Sequence, residues 1–172
     1  MLPTLRTERL VLRPLVEGDA EAMHIAMSDV DLMHWWSSAP HRTLERTREY
    51  VAANAAEGAW LTWAITEDGG EALGWVVLGE HREGIRELGY ILRRDRWGRG
   101  YAHEAASAVL DHAFGAMKLR RVFADVDPEN AASVGLLKRL GFRQEGHLRA
   151  EWETHIGIRD SLIFGLLRDE WR

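Results

Sequence analysis

Asp95-Arg96-Trp97-Gly98-Arg99-Gly100-Tyr101-Ala102 is the segment of this chain best suited to holding an anion. It follows a strand-like run, Glu87-Leu88-Gly89-Tyr90-Ile91-Leu92, and leads into apolar residues at helical spacing: Ala102, Ala106, Val109, Ala113 and Met117. Two glycines one residue apart, between strand and helix, let the backbone turn tightly and aim successive N–H groups into one small volume. The partial positive charge at the helix start adds to them. The chemistry is phosphate or pyrophosphate binding, although a tight turn with no ligand would carry the same glycine pair. The segment lacks the Lys-Ser/Thr of a P-loop, and His103 stands where a dinucleotide fingerprint has its third glycine.

A second segment, Asp127-Pro128-Glu129-Asn130-Ala131-Ala132-Ser133-Val134 continuing to Lys138-Arg139-Leu140-Gly141-Phe142, follows the β-rich run Arg121–Val126. Asn130 has the character of a helix N-cap, and Val134, Leu137 and Leu140 mark an apolar face. Lys138 and Arg139 suit the negative end of that helix, and Gly141 suits the left-handed position that stops it. In this order the two segments resemble the GNAT superfamily of acyl-CoA-dependent N-acetyltransferases. The opening Thr7-Glu8-Arg9-Leu10-Val11-Leu12-Arg13-Pro14 and the Trp-Gly-Arg-Gly-Tyr-Ala core look like its RimJ/RimL-type branch, as do Glu145–Arg149 and Arg159-Asp160-Ser161-Leu162. The likeness runs over about residues 5 to 170. One departure is Asp95, where the superfamily often has Gln or Arg; the backbone cradle does not depend on it.

The resemblance implies an acetyl-CoA co-substrate and a primary-amine acceptor, either a protein N-terminus or a small molecule. The amides of Trp97, Gly98, Arg99, Gly100, Tyr101 and Ala102 would then grip the CoA pyrophosphate. Arg94, Arg96 and Arg99 would supply charge, although solvated surface positions explain at least one of them as well. Asn130 and the backbone of Leu92 would hold the pantetheine, and an N–H near Ile91 or Leu92 would face the developing oxyanion. Many GNAT enzymes carry a tyrosine acid where this chain has Leu137, so Ser133 is the expected partner of the leaving sulfur; an ordinary first-turn serine is the bland alternative. Glu151, beside Trp152, matches the position of the branch's carboxylate base, against an exposed surface Glu. Glu87 is the runner-up, and His81, His147 and His155 are candidates through water.

Trp35, Trp36, Glu87 and Trp152 are the expected acceptor contacts. Trp35 and Trp36 read equally as core plugs or a dimer contact, and Trp152 and Phe164 on the late strands as homodimer or core residues. A non-catalytic acyl-CoA-binding sensor is the alternative function; the pairing of Ser133 with Glu151 favours an enzyme.

The elements that must position these groups read in the order β-αα-βββ-α-β-α-ββ, an α/β mixed sheet with helices on both faces. The family likeness implies a mostly antiparallel sheet of about seven strands whose parallel fourth and fifth splay apart. The pattern predicts one strand over 5–14, a helix from Asp19 to Ser28, a second capped by Thr43 and running to Glu57, and late strands over 142–149 and 156–167. A chain of 172 residues fits a single domain, 1–172, with its own core. Zero cysteines exclude disulfides and thiol nucleophiles and agree with a cytoplasmic home. No apolar run approaches the roughly 18 residues of a membrane span. A net charge of −5 argues against nucleic acid, and the eight histidines lack metal-ligand spacing, so no metal is expected.

Overall fold

Alternation of buried Val122, Ala124 and Val126 with half-buried Arg121, Phe123 and Asp125 gives Arg121–Val126 two different faces, and the whole sheet is organised around that difference. The computed structural model describes residues 2–172 except 57 and 59. Its strands are β1 (Leu5–Arg6), β2 (Val11–Pro14), β3 (Trp60–Thr66), β4 (Gly74–Arg82), β5 (Ile85–Leu92), β6 (Arg121–Val126), β7 (Arg143–Thr154) and β8 (Gly157–Leu167). They form one eight-stranded sheet in the order β1-β2-β3-β4-β5-β6-β8-β7. The helices are α1 (Ala20–Met27), α2 (Val30–Met33), α3 (Leu44–Ala55), α4 (Tyr101–Gly115) and α5 (Ala131–Arg139).

One face buries α4 and α5. Ala105, Ala106, Val109, Leu110 and Ala113 recur at three- and four-residue spacing and are fully buried against Leu88, Val122 and Phe164. The other face carries α1, α2 and α3, with Met23, Met27 and Met33 packed around Trp75 and Ile91. Asn130 and Thr43 cap α5 and α3 as expected, accepting hydrogen bonds from the Ser133 and Arg46 amides. Gly141 has φ +89 beyond the end of α5.

Three expectations need correction. The predicted strand over 5–14 is two strands, because Thr7 and Leu10 close a turn (N–H to O, 3.0 Å) that folds Leu5 back opposite Leu12. Apolar alternation persists through such a tight turn, so the pattern hid it, and the extra strand makes eight. Asp19 precedes α1 but does not cap it with its side chain; Arg13 takes both carboxylate oxygens (2.6 and 2.9 Å). The late strand expected to stop at 149 runs to Thr154, because a bulge absorbs the irregular stretch around Ala150. The predicted end of the second helix at Glu57 lies outside the described residues. Among those described, no helix is long and apolar enough to cross a membrane.

Candidate active site

The anion cradle has the backbone its sequence requires. Gly98 and Gly100 take φ +73 and +80, a region that strains any residue with a Cβ. Gly100 is the N-cap of α4 and no side chain caps that end, so the first-turn amides are not claimed by the protein's own side chains. The β1–β2 turn straps this end from below. Arg9 donates to the Glu104 carboxylate (2.6 and 2.8 Å) and to the Arg99 carbonyl (2.9 Å), and Thr7 donates to Glu104 (2.5 Å). Arg94 is turned away to Asp29 (2.5 Å) and Asp31 (3.1 Å), while Arg99 is exposed and Arg96 half-buried. The Trp97 indole donates to the Leu92 carbonyl (2.8 Å) and so fixes the start of the cradle against β5.

Beyond the cradle the sheet opens. β5 and β6 are parallel and pair only at Ile85–Arg121, Arg86–Val122 and Glu87–Phe123; from there the two strands part. The Arg93 amide binds back to Leu73 (2.9 Å). Strand amides alternate in direction, so those of Leu92 and Tyr90 face the gap, and that of Ile91 turns to β4.

On the α4/α5 side of the gap, the hydroxyls of Tyr90 and Ser133 lie 2.5 Å apart. Asn130 Oδ1 accepts from the Ser133 amide (3.2 Å), which places the serine in the first turn of α5. Burial pushes the Tyr90 phenol up to about 12, so it stays protonated. Sequence reasoning missed Tyr90; the signal was its place three residues after Glu87, on the opposite face of one strand.

On the opposite side, β5 and β6 present Glu87 and Asp125. Burial, and then the Asp125 charge, raise the Glu87 carboxyl above its ordinary range. Asp125 is raised by burial and by Glu151, against the lowering effect of the hydrogen bond from Trp152. The Trp152 indole donates to Asp125 Oδ2 (3.0 Å), and the Ser161 hydroxyl donates to Oδ1. Asp125 was also missed, although a carboxylate among alternating apolar residues of a central strand is a legible anomaly. Glu151 lies exposed in the bulge, where the three residues between Leu148 and Trp152 oppose only Asp160 of β8. Asp160 pins that bulge by accepting from the Ala150 amide (2.9 Å), with Ala150 at φ +52.

The two tryptophans before α3 part company. Trp36 leans into the α1–α3 core, 6.4 Å from Trp75, and donates to the Tyr50 hydroxyl (3.1 Å). Trp35 lies under the Arg159 guanidinium (5.9 Å), and Arg159 holds Asp127 (2.7 and 3.0 Å) and Glu129 (2.6 Å). Because Arg159 is opposite Trp152 in the sheet, Trp35, Arg159, Trp152 and Asp125 form one continuous wall.

A glycine turn opening a helix, followed by a gap between two diverging parallel strands, is the arrangement this fold presents. Comparison with known proteins identifies the family. The family model described as an acetyltransferase (GNAT) domain matches residues 9–143. The uncharacterized N-acetyltransferase p20 of Bacillus licheniformis is 31% identical, with 99% of each chain covered. Spermidine N(1)-acetyltransferase of Vibrio cholerae is 26% identical over 84% of each. The structure of Mycobacterium smegmatis RimJ in complex with CoA-disulfide is 30% identical, with TM-score 0.81, over 98% of this chain and 87% of that one. The chain belongs to the GNAT acetyltransferase family.

Proposed function

We propose that the protein transfers acetyl from acetyl-CoA to a primary amine by direct attack within a ternary complex, on a site of the RimJ/RimL type. The observation that carries this reading is the division of labour across the β5–β6 gap: a hydroxyl pair, Tyr90–Ser133, on one side and a carboxylate pair, Glu87–Asp125, on the other. Acetyl-CoA supplies an acyl group already activated as a thioester. The amides from Trp97 to Ala102 grip its diphosphate, Arg96 and Arg99 add charge, and the Asn130 side chain aligns the pantetheine. Holding both reactants in register accounts for much of the rate, up to about 7–11 kcal/mol in favourable cases.

The acceptor arrives as an ammonium ion on the carboxylate side, with Trp35 and Trp152 beside it. Glu87, half-buried and raised in proton affinity, takes its proton, and the freed lone pair attacks the thioester carbon. The Leu92 amide faces the oxyanion. As the C–S bond breaks, Ser133 donates a hydrogen bond to the departing thiolate while Tyr90 donates to Ser133. The surplus proton of the attacking nitrogen passes to that sulfur to give the amide and free CoA thiol. Glu151, exposed in its bulge, is the competing base, and its distinct environment makes the two separable.

Two acceptor classes fit a primary ammonium. The spermidine-acetylating relative and the acidic face around Asp125 support a small polycationic amine; the RimJ/RimL-type likeness of the sequence supports a protein N-terminus. Thiol release from acetyl-CoA should be measured across polyamines, amino acids, aminoglycosides and N-terminal peptides. Turnover on one group of amines supports the reading. Tight acetyl-CoA binding by calorimetry with no turnover on any amine makes the protein a sensor instead.

A further inference from the structure

We propose that Asp125 is the positioning residue of the acceptor pocket: its carboxylate anchors the Trp152 indole beside the β5–β6 gap and sets a fixed negative charge facing Glu87. The proposal rests on the reading of that gap as the amine site. Trp152 is 47% exposed on β7, the outermost strand of the sheet, directly after a bulge. An exposed indole at a sheet edge has little packing to hold its rotamer, so its hydrogen bond to Asp125 (3.0 Å) decides where the ring stands. The Ser161 hydroxyl fixes the other oxygen and leaves the carboxylate no freedom to turn. Asp125 thus reads the acceptor indirectly. The ring it holds forms the wall along which the acceptor's carbon chain lies, and its charge acts on Glu87.

Its second effect is on Glu87. Glu87 stands opposite Gly79 of β4, a neutral neighbour, and opposite Phe123 of β6, against which His81 (4.9 Å) and Arg121 (6.0 Å) pack. β8 contributes Ser161 and Arg159, the latter neutralised by Asp127 and Glu129, and β7 contributes Glu151 and Trp152. Asp125 is the charge that acts on Glu87 from this set, and it adds to burial in raising the carboxyl. Removing the charge while keeping the shape must therefore lower the proton affinity of Glu87.

The test compares wild type with Asp125→Asn, Asp125→Ala and Trp152→Phe. Asn keeps an oxygen for the indole but loses the charge, so the acidic limb of kcat against pH moves to lower pH while acceptor KM changes by less than about threefold. Ala loses the anchor, so acceptor KM rises by about three- to tenfold with acetyl-CoA KM unchanged, and Trp152→Phe reproduces that rise. Independently of turnover, the Trp152 indole N–H is protected from exchange in NMR spectra of wild type and exposed in Asp125→Ala, its resonance identified by its loss in Trp152→Phe. If Asp125→Ala does not fold, Asp125→Asn and Trp152→Phe carry the test. An unmoved acidic limb in Asp125→Asn together with an unchanged acceptor KM in Trp152→Phe overturns the proposal, as does an indole proton indifferent to Asp125. A wild-type protein that turns over no amine sinks the functional reading instead, and the indole measurement still decides whether Asp125 holds Trp152.

Discussion

Tyr90 and Ser133, whose hydroxyls lie 2.5 Å apart, join β5 to the first turn of α5 across the gap between β5 and β6. A phenol held at about 12 gives up no proton near neutrality, so on the proposed mechanism it donates to Ser133 and leaves the serine's own hydrogen bond for sulfur. Ser133→Ala should lower kcat at saturating substrates by about tenfold or more. Tyr90→Phe should lower it by about three- to tenfold, the worth of one hydrogen bond. The double variant should be no slower than Ser133→Ala, because the tyrosine acts only through the serine. Additive losses would place Tyr90 on a separate path.

Glu87 and Glu151 make opposite predictions. Glu87 is half-buried with a raised carboxyl, so it takes its proton at a higher pH than a free Glu, and the acidic limb of the pH–rate profile should be its titration. Glu87→Gln should erase that limb and slow the reaction by about a hundredfold. Glu151→Gln should keep the limb and leave it in place or move it slightly upward, since losing the Glu151 charge lets Asp125 ionise more readily beside Glu87. Loss of the limb in Glu151→Gln would return the base to the position the family likeness implies.

The sequence made the cradle legible because backbone geometry is written in residue type: glycine adopts without strain the dihedrals found at Gly98 and Gly100. The same holds for the Asn130 and Thr43 caps, each a local hydrogen bond three residues long. The parting of β5 and β6 was expected from the family likeness, because nothing local marks where two distant strands stop pairing. Asp125 and Tyr90 were missed for the same reason. Their roles depend on partners 27 to 43 residues away, brought together by strand order and by the β7 bulge. Trp35 and Trp36, adjacent in sequence, fall in different environments, which residue type could not distinguish.

The strap under the cradle should act on the donor alone. Arg9 holds the Arg99 carbonyl and Glu104 together, and so fixes the loop that presents the first-turn amides. Arg9→Ala should raise acetyl-CoA KM several-fold with acceptor KM unchanged, and Gly100→Ala should weaken acetyl-CoA binding about tenfold. The second figure follows from the roughly 1–2 kcal/mol that a Cβ costs in the left-handed region. Calorimetric titration checks both. Unchanged acetyl-CoA affinity in both variants would show that these amides do not hold the donor.

Stability should depend on pH through a buried histidine far from the gap. His41 Nδ1 lies 3.0 Å from the fully buried Thr47 hydroxyl, which also meets His24 Nδ1 (2.7 Å). Thr47 has one proton, so one of these rings must donate its own. Among the described residues His41 Nε2 is buried with no partner, so a ring charged at both nitrogens has an unsatisfied N–H there. Burial, with Arg46 and His24 nearby, accordingly lowers the His41 pKa below the ordinary value of 6.5. In the window between that lowered value and 6.5 the unfolded chain takes a proton that the native protein refuses. The stability due to neutral His41 is therefore complete above about pH 6.5 and declines as pH falls through and below it. Urea midpoints should drop between pH 7.5 and 5.5, and His41→Asn should flatten that slope while lowering stability at pH 7.5. The raised carboxyls of Glu87 and Asp125 act in the opposite sense at lower pH and are common to both proteins, so the difference between the two slopes isolates the histidine. Parallel slopes would mean that His41 takes its proton as readily folded as unfolded.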